Sequence, residues 1–334
     1  MPGTPSVLVV NIPSDMMDHV EPLRRWFAAR LEAAELEVVA VRPVSGGLVN
    51  HVGFVDVRRR PDARSERFLI RVDPVTGPYA PYDMPAQYDR FVRLHRAGLR
   101  VPRPLFLETD RSVVGREFWI SEFVEGETPG RLLDLDTGQG TRRLHSYVAA
   151  LADIHATDWQ AAGLERRCPP LDIPALRHGL AAPGPELDRL EAADRALFEA
   201  TATRLRAMLP SSFPMRLTHG DCSLSNYIYR GADVAAVVDW DLARITDPVS
   251  DLGYYCAIHH RFQMALPRRV RRDRLVPVID AYAAGTGEDI ASLPFWEMFH
   301  SWTNALSWLR PGWGKQASGF SAYRDRLCEL LHDD

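Results

Sequence analysis

The chain has 334 residues, 46% hydrophobic and 25% charged, with a formal net charge of −4. That length allows two lobes with sizeable cores, and such ordinary usage excludes a disordered or fibrous chain. The mildly acidic balance argues against nucleic acid as the main partner, and no apolar run reaches the length of a membrane span.

Val7, Leu8, Val9 and Val10 form an apolar run too short for a signal core, with no basic residue before it. Cys168, Cys222, Cys256 and Cys328 are scattered without a Cys-x-x-Cys pair, so neither a disulfide framework nor a zinc site is implied. The expected compartment is the reducing cytoplasm.

Residues 18–36 read as a first helix, with Leu23, Trp26, Phe27 and Leu31 near helical spacing. Strand-like runs follow at 36–42, 52–57 and 68–72, and Ser45-Gly46-Gly47 lies between the first two. A helix over 86–97 precedes strands at 105–108 and 118–123. From about residue 125 the pattern turns helical: 141–155, 186–209, and an aromatic-rich tail from 275 onward. Short strands at 227–229 and 235–238 interrupt it. The order predicts an α+β chain with a small β-rich lobe over 1–124 and a larger, mostly helical lobe over 125–334.

The chemistry concentrates in His219-Gly220-Asp221, with Asn226 five residues after Asp221 and Asp239 thirteen residues after Asn226. One carboxylate can accept a proton from an alcohol, while an amide oxygen and a second carboxylate can hold Mg²⁺ on nucleotide phosphates. A Gly-Gly turn between strands, as at Ser45-Gly46-Gly47, lets backbone amides approach phosphate oxygens, although a plain hairpin turn is the commoner use of such a pair.

These residues, with Phe68-Leu69-Ile70-Arg71, Glu122-Phe123-Val124-Glu125-Gly126, Leu151-Ala152-Asp153-Ile154-His155, Asp239-Trp240 and Asp247-Pro248-x-x-Asp251, resemble the aminoglycoside phosphotransferase/choline kinase-like family. The resemblance runs from about Val41 to Trp302. It implies a bilobal protein-kinase-like fold and Mg²⁺- and ATP-dependent (or GTP-dependent) phosphorylation of a hydroxyl group on a small molecule. Carried over residue by residue, Asp221 becomes the catalytic base, and Asn226 and Asp239 the metal ligands. His219 would hold the catalytic loop, and Asp251 would support it through backbone amides. Ser45, Gly46 and Gly47 would cover phosphate, and Glu122, Phe123 and Val124 would form the hinge that meets adenine. A non-catalytic, pseudokinase-like nucleotide-binding module is the competing reading.

Two departures from the family pattern stand out. The third strand offers Arg71 where such kinases place lysine, and Lys315 is the only lysine of the chain. The following helix offers Gln87, with Asp89 nearby, where a glutamate is usual. For the acceptor, Trp296, Trp302 and Glu297 are candidate pocket residues. The arginine run 268–274 reads as a solvated helix face or an anion-binding patch. The few unpaired acids of the tail favour a neutral or anionic hydroxyl compound over a polycationic aminoglycoside.

Overall fold

The computed structural model describes residues 19–43, 51–60, 64–74, 81–130, 133–182, 184–310 and 317–332. Ser45, Gly46 and Gly47 lie outside the described residues. The rest form two compact units. One comprises the described residues up to His95 together with Pro102–Val124, the other Arg96–Val101 with the chain from Glu125.

The first unit contains α1 (Val20–Arg30), β1 (Glu37–Pro43), β2 (His51–Arg58), β3 (Glu66–Val72), α2 (Met84–Arg96), β4 (Pro104–Glu108) and β5 (Phe118–Glu122). Its strands make one antiparallel sheet in the order β1-β2-β3-β5-β4. Strand alternation sends Phe68, Ile70, Phe118 and Ile120 to one face, where Leu23, Trp26 and Phe27 of α1 cover them. The Trp26 indole N–H donates to Glu108 Oε2 at 2.6 Å, satisfying the one polar atom that helix buries. The helix ends at Arg30, earlier than the periodicity suggests. Glu32 takes a left-handed φ of 51° and turns the chain so that Leu36 enters the core at the start of β1.

The second unit carries α3 (Gly138–His155), α4 (Ile173–Ala181), α5 (Ala192–Met208), β6 (Arg216–Thr218), β7 (Tyr227–Arg230), β8 (Asp233–Val237), β9 (Arg244–Thr246), α6 (Val249–Gln263), α7 (Arg268–Thr286), α8 (Leu293–Ser307) and α9 (Ala317–His332). Two small antiparallel ladders, β6–β9 and β7–β8, flank the loop 219–226. Residues 96–101, which the sequence puts with the first lobe, belong here. Val237 N donates to Arg100 O at 2.6 Å and Arg100 pairs with Asp153 at 3.0 Å.

Side-chain caps start α3 and α4. Thr137 accepts from Gly140 N and Asp172 from Ala175 N. Helix α6 gives no periodic signal because it is buried on nearly every side, from Val249 to His260. It packs closely on α8 at Gly253. A Cβ there would stand 2.5 Å from Trp296 Cβ and 2.7 Å from Trp296 C. We therefore expect Gly253→Val to force α6 and α8 apart and cost about 1–3 kcal/mol or more. Chemical denaturation monitored by circular dichroism measures it, and an unchanged midpoint would contradict this packing.

Candidate active site

The loop 219–226 leaves β6 through His219, fully buried, and Gly220, whose φ is +79°. A Cβ on Gly220 would come within 2.1 Å of Leu242 O, so glycine is required there by both conformation and space. The next residue, Asp221, emerges part-buried. Its Oδ1 accepts from Ser223 Oγ at 2.7 Å, which orients the carboxylate. Below it, Tyr147 Oη of α3 donates to Cys222 O at 2.8 Å, fixing the loop to the helical layer.

One carboxylate holds this loop in shape. Asp251, in the first turn of α6 and fully buried, accepts from His219 N (Oδ2, 2.9 Å) and Gly220 N (Oδ1, 2.9 Å). His155 Nε2 lies 3.0 Å from the same Oδ2, and Tyr282 Oη stands 3.3 Å from His155 Nδ1. Burial pushes the Asp251 carboxyl up, but the His155 hydrogen bond, the His155 and His219 rings and the Gly220 amide outweigh it and hold the pKa below the ordinary value.

His219 is driven the other way, its pKa lowered chiefly by burial despite Asp251 and Asp221. A neutral ring fits its partners. Nε2–H donates to Val238 O at 2.9 Å, and Nδ1 accepts from Asp221 N at 3.2 Å. His219 thus joins the loop to the segment that carries Asp239.

Asn226 is buried, and its Nδ2 donates to Asp221 O at 2.9 Å. That bond leaves Oδ1 as the acceptor of the amide. Val238 N donates to Asn226 O at 2.9 Å, setting Asp239 beside Asn226 along the backbone. Asp239 has φ 64° and ψ 61°, one of two non-glycine residues among those described with positive φ. Aspartate tolerates that region better than most residues, and such conformations persist where the surroundings enforce them. No group of three His, Cys, Asp or Glu among the described residues is arranged to hold a metal by itself. A Mg²⁺ site needs no such group, because the ion commonly takes one or two protein oxygens and completes its shell with phosphate and water. The amide oxygen of Asn226 and the carboxylate of Asp239 are the hard donors that fit it.

In the first unit, Arg71 on β3 is buried and stands directly opposite Trp119, 5.8 Å from its ring centre. Its Nη1 is 3.5 Å from Gln87 Oε1 on α2, the long limit of a hydrogen bond. Asp89 accepts from Arg93 at 2.9 Å. Glu122, at the end of β5, is tied to the residue before β4, its N–H donating to Arg103 O and its side chain accepting from Arg103 N, both at 3.0 Å. Its backbone donor is therefore occupied. Phe123 packs its ring against Phe54 at 5.4 Å and Val124 follows at the unit's end.

The acceptor candidates need correction. Trp296 is fully buried and donates its indole N–H to Asp247 Oδ2 at 2.7 Å. Trp302 is 4% exposed and donates to Phe198 O at 3.2 Å. Glu297 receives Arg326 Nε at 2.8 Å and Nη2 at 2.7 Å, with His260 at 3.4 Å. Their helical spacing reflects core packing of α8, so they form no aromatic cage. The arginine run is likewise part internal. Arg271 is 2% exposed and paired with Glu329, and Arg274 donates to Gln263. Sequence reasoning missed Ser223, Tyr147 and the role of His155. Only the last had a signal, as the end of the 151–155 motif.

The low pKa of Asp251 sets a pH dependence. Its anion contributes fully above the unfolded aspartate value of about 3.9, and that contribution disappears as pH falls through the lower folded value. We expect Asp251→Asn to cost about 3 kcal/mol at neutral pH and to flatten the acid limb of the stability curve below about pH 4. Thermal melts from pH 3 to 7 on both proteins test it, and parallel curves would refute it.

Known proteins share this fold. A structure from Ralstonia eutropha, carrying a provisional aminoglycoside phosphotransferase name, superposes with a TM-score of 0.68 at 20% identity, covering 93% of this chain and 96% of that one. A thermostable mutant of aminoglycoside phosphotransferase APH(4)-Ia, in ternary complex with ADP and hygromycin B, gives 0.62 at 14% identity, covering 92% and 97%. Both share the kinase-like fold. Among curated sequences, chicken acyl-CoA dehydrogenase family member 11 is 26% identical over 243 residues, 67% of this chain but 31% of that protein. The chain therefore matches less than a third of that relative's length. The model of the phosphotransferase enzyme family matches residues 40–296, and the chain belongs to that family.

Proposed function

We propose that the protein transfers the γ-phosphoryl group of Mg·ATP, or of Mg·GTP, to a hydroxyl group of a small neutral or anionic molecule. The observation that carries this reading is the loop geometry. Asp221 is oriented by Ser223, and the Asn226 amide donates to Asp221 O, which leaves its oxygen as an acceptor. The ADP complex of a relative with the same fold supports the nucleotide.

In this scheme the acceptor hydroxyl oxygen attacks the γ-phosphorus as the bond to the β-phosphate bridging oxygen breaks, releasing ADP. The hydroxyl proton passes to the Asp221 carboxylate and from there to solvent. Because the transition state is loose, Asp221 works mainly by aligning the hydroxyl. Asn226 Oδ1 and Asp239 would hold Mg²⁺, which supplies charge neutralisation on the phosphates when bound. Arg71, buried against Trp119, provides the cation for nucleotide phosphate in place of lysine. Phe123 and Val124 offer the backbone atoms for adenine, since the Glu122 N–H is engaged by Arg103 O.

A polycationic acceptor is disfavoured by where the acids are. Glu297 is bound by Arg326, Glu329 by Arg271 and Arg326, and Asp273 pairs with Arg269. Few carboxylates of the C-terminal helices remain to meet ammonium groups. The acyl-CoA dehydrogenase names of the curated relatives favour an acyl-type acceptor instead.

Two variants separate the roles. Asp221→Ala should lower kcat by about 10²-fold or more with ADP affinity retained, whereas Asp239→Ala should also weaken Mg²⁺-dependent nucleotide binding. Isothermal titration beside a coupled ADP-release assay measures both, and wild-type turnover in Asp221→Ala would overturn the mechanism. For Arg71→Ala we expect KM for ATP to rise, or kcat to fall, about tenfold, the scale of one charge-assisted contact. Unchanged steady-state constants would remove Arg71 from the nucleotide site.

A further inference from the structure

Two serines stand beside the carboxylate proposed as the base, and neither takes part as a reactant in the scheme above. Cys222 and Leu224 are buried and pin the loop 219–226 to the helical layer. Cys222 does so through its Sγ–H to Asp251 O and through the Tyr147 hydroxyl on its carbonyl. The residues between them reach solvent: Asp221 and Ser223 are part-buried and Ser225 is exposed. Ser223 has an extended backbone, φ −62° and ψ 142°, and its carbonyl accepts from Asn226 N at 2.9 Å. Backbone bonds therefore hold Ser223 between Asp221 and Asn226.

Proton counting gives the direction of each side-chain bond. An ionised carboxylate only accepts, so Ser223 Oγ–H donates to Asp221 Oδ1 at 2.7 Å, in the short range of a charge-assisted bond. With its single proton committed there, the 3.2 Å contact between Ser223 Oγ and Ser225 Oγ has Ser225 as the donor. A hydroxyl oxygen has two lone pairs, so one remains on Ser223 Oγ. The proposed reaction asks the same of its acceptor: a hydroxyl whose proton is held by Asp221 and whose oxygen keeps a lone pair for phosphorus. Ser223 meets that description without leaving its place in the loop.

We propose that Ser223 is itself a phosphoryl acceptor, so that with Mg·ATP bound and no small-molecule acceptor in place the chain phosphorylates its own loop. Ser223 Oγ forms a bond to the γ-phosphorus as the bond from that phosphorus to the β–γ bridging oxygen breaks. ADP leaves, and the Ser223 proton passes to Asp221 and on to solvent. Base and nucleophile belong to one loop, so the transfer needs no encounter between chains. The phosphoserine carries about −1.5 to −2 charge beside the Asp221 carboxylate and no longer has the hydroxyl proton that oriented it. Like charges repel there and the base loses its partner, so a modified chain stops turning over. Ser223 makes the enzyme self-limiting when nucleotide is present without substrate. The inference rests on the phosphotransferase reading above and adds a second acceptor, carried by the chain itself.

The test incubates the full chain with Mg·ATP alone. Intact mass and peptide fragmentation report where phosphate is attached, and released ADP and inorganic phosphate are measured beside them. We expect a single phosphoryl group on Ser223, formed at a rate per chain that does not change with protein concentration, and ADP release that stops once the chains are labelled. Ser223→Ala should lose the label. Ser225→Ala should keep it, as should Ser223→Thr, because the extended backbone suits a β-branched residue. Asp221→Asn should slow labelling by about 10²-fold or more. Unchanged ADP affinity by calorimetry reports that each variant is folded and binds nucleotide. Asp221-dependent ATP cleavage that yields only inorganic phosphate, or that labels a residue other than Ser223, overturns the proposal and leaves the phosphotransferase reading standing. A rate per chain that rises with protein concentration overturns transfer within one chain, and ADP release that continues after full labelling overturns the self-limiting role. Label on Ser223 undiminished in Asp221→Asn keeps the modification site and sinks the reading of Asp221 as base. ADP binding without any ATP cleavage sinks both.

Discussion

The active-site geometry of the second unit depends on one buried carboxylate. Asp251 has no contact with solvent, yet it receives two consecutive backbone amides and a histidine. An ionised group in that position is tolerable only because both carboxylate oxygens are met by donors. In return it clamps the turn at Gly220, where the chain adopts a conformation closed to any side chain. Asp221 owes its placement to that clamp. The carboxylate proposed as the base is thus positioned by a second, fully buried carboxylate.

The helix bearing Asp251 organises the rest of the unit. Buried on nearly all sides, α6 packs against α8 at a glycine and faces α3 through Tyr255, 5.7 Å from the Tyr147 ring, which in turn bonds the loop at Cys222. Asp247, just before it, receives Trp296, Ser292 and the Val249 amide, tying the start of α8 to the same corner. Loop, helix and aromatic layer therefore form one connected set of hydrogen bonds. A change in the packing of α6 is felt at Asp221 without touching it. Two buried arginines of this layer are paired, Arg271 with Glu329 and Arg326 with Glu297.

How much of this was legible beforehand varies with the physics of each element. The strands of the first unit and helices such as α3 announced themselves through alternation and a clear apolar stripe. Helix α6 did not, because a helix buried all round has no stripe to read. The first helix was overextended, since the turn at Glu32 is set by where Leu36 must enter the core. Trp296, Trp302 and Glu297 show the opposite failure. Their spacing was real, but spacing alone cannot distinguish a residue that lines a pocket from one that fills a core, and each has an internal partner.

The sequence by itself determined the fold class, the family, and the residue types that phosphoryl transfer requires, because these rest on short-range spacing that the chain carries locally. Asp221, Asn226 and Asp239 fall within nineteen consecutive residues. Only the tertiary structure decided which charges are already neutralised. Asp251 and His155 are 96 residues apart and Arg326 and Glu297 are 29 apart, yet both pairs are closed by packing. Electrostatic pairing acts through space and desolvation, and neither quantity is written in the order of the residues.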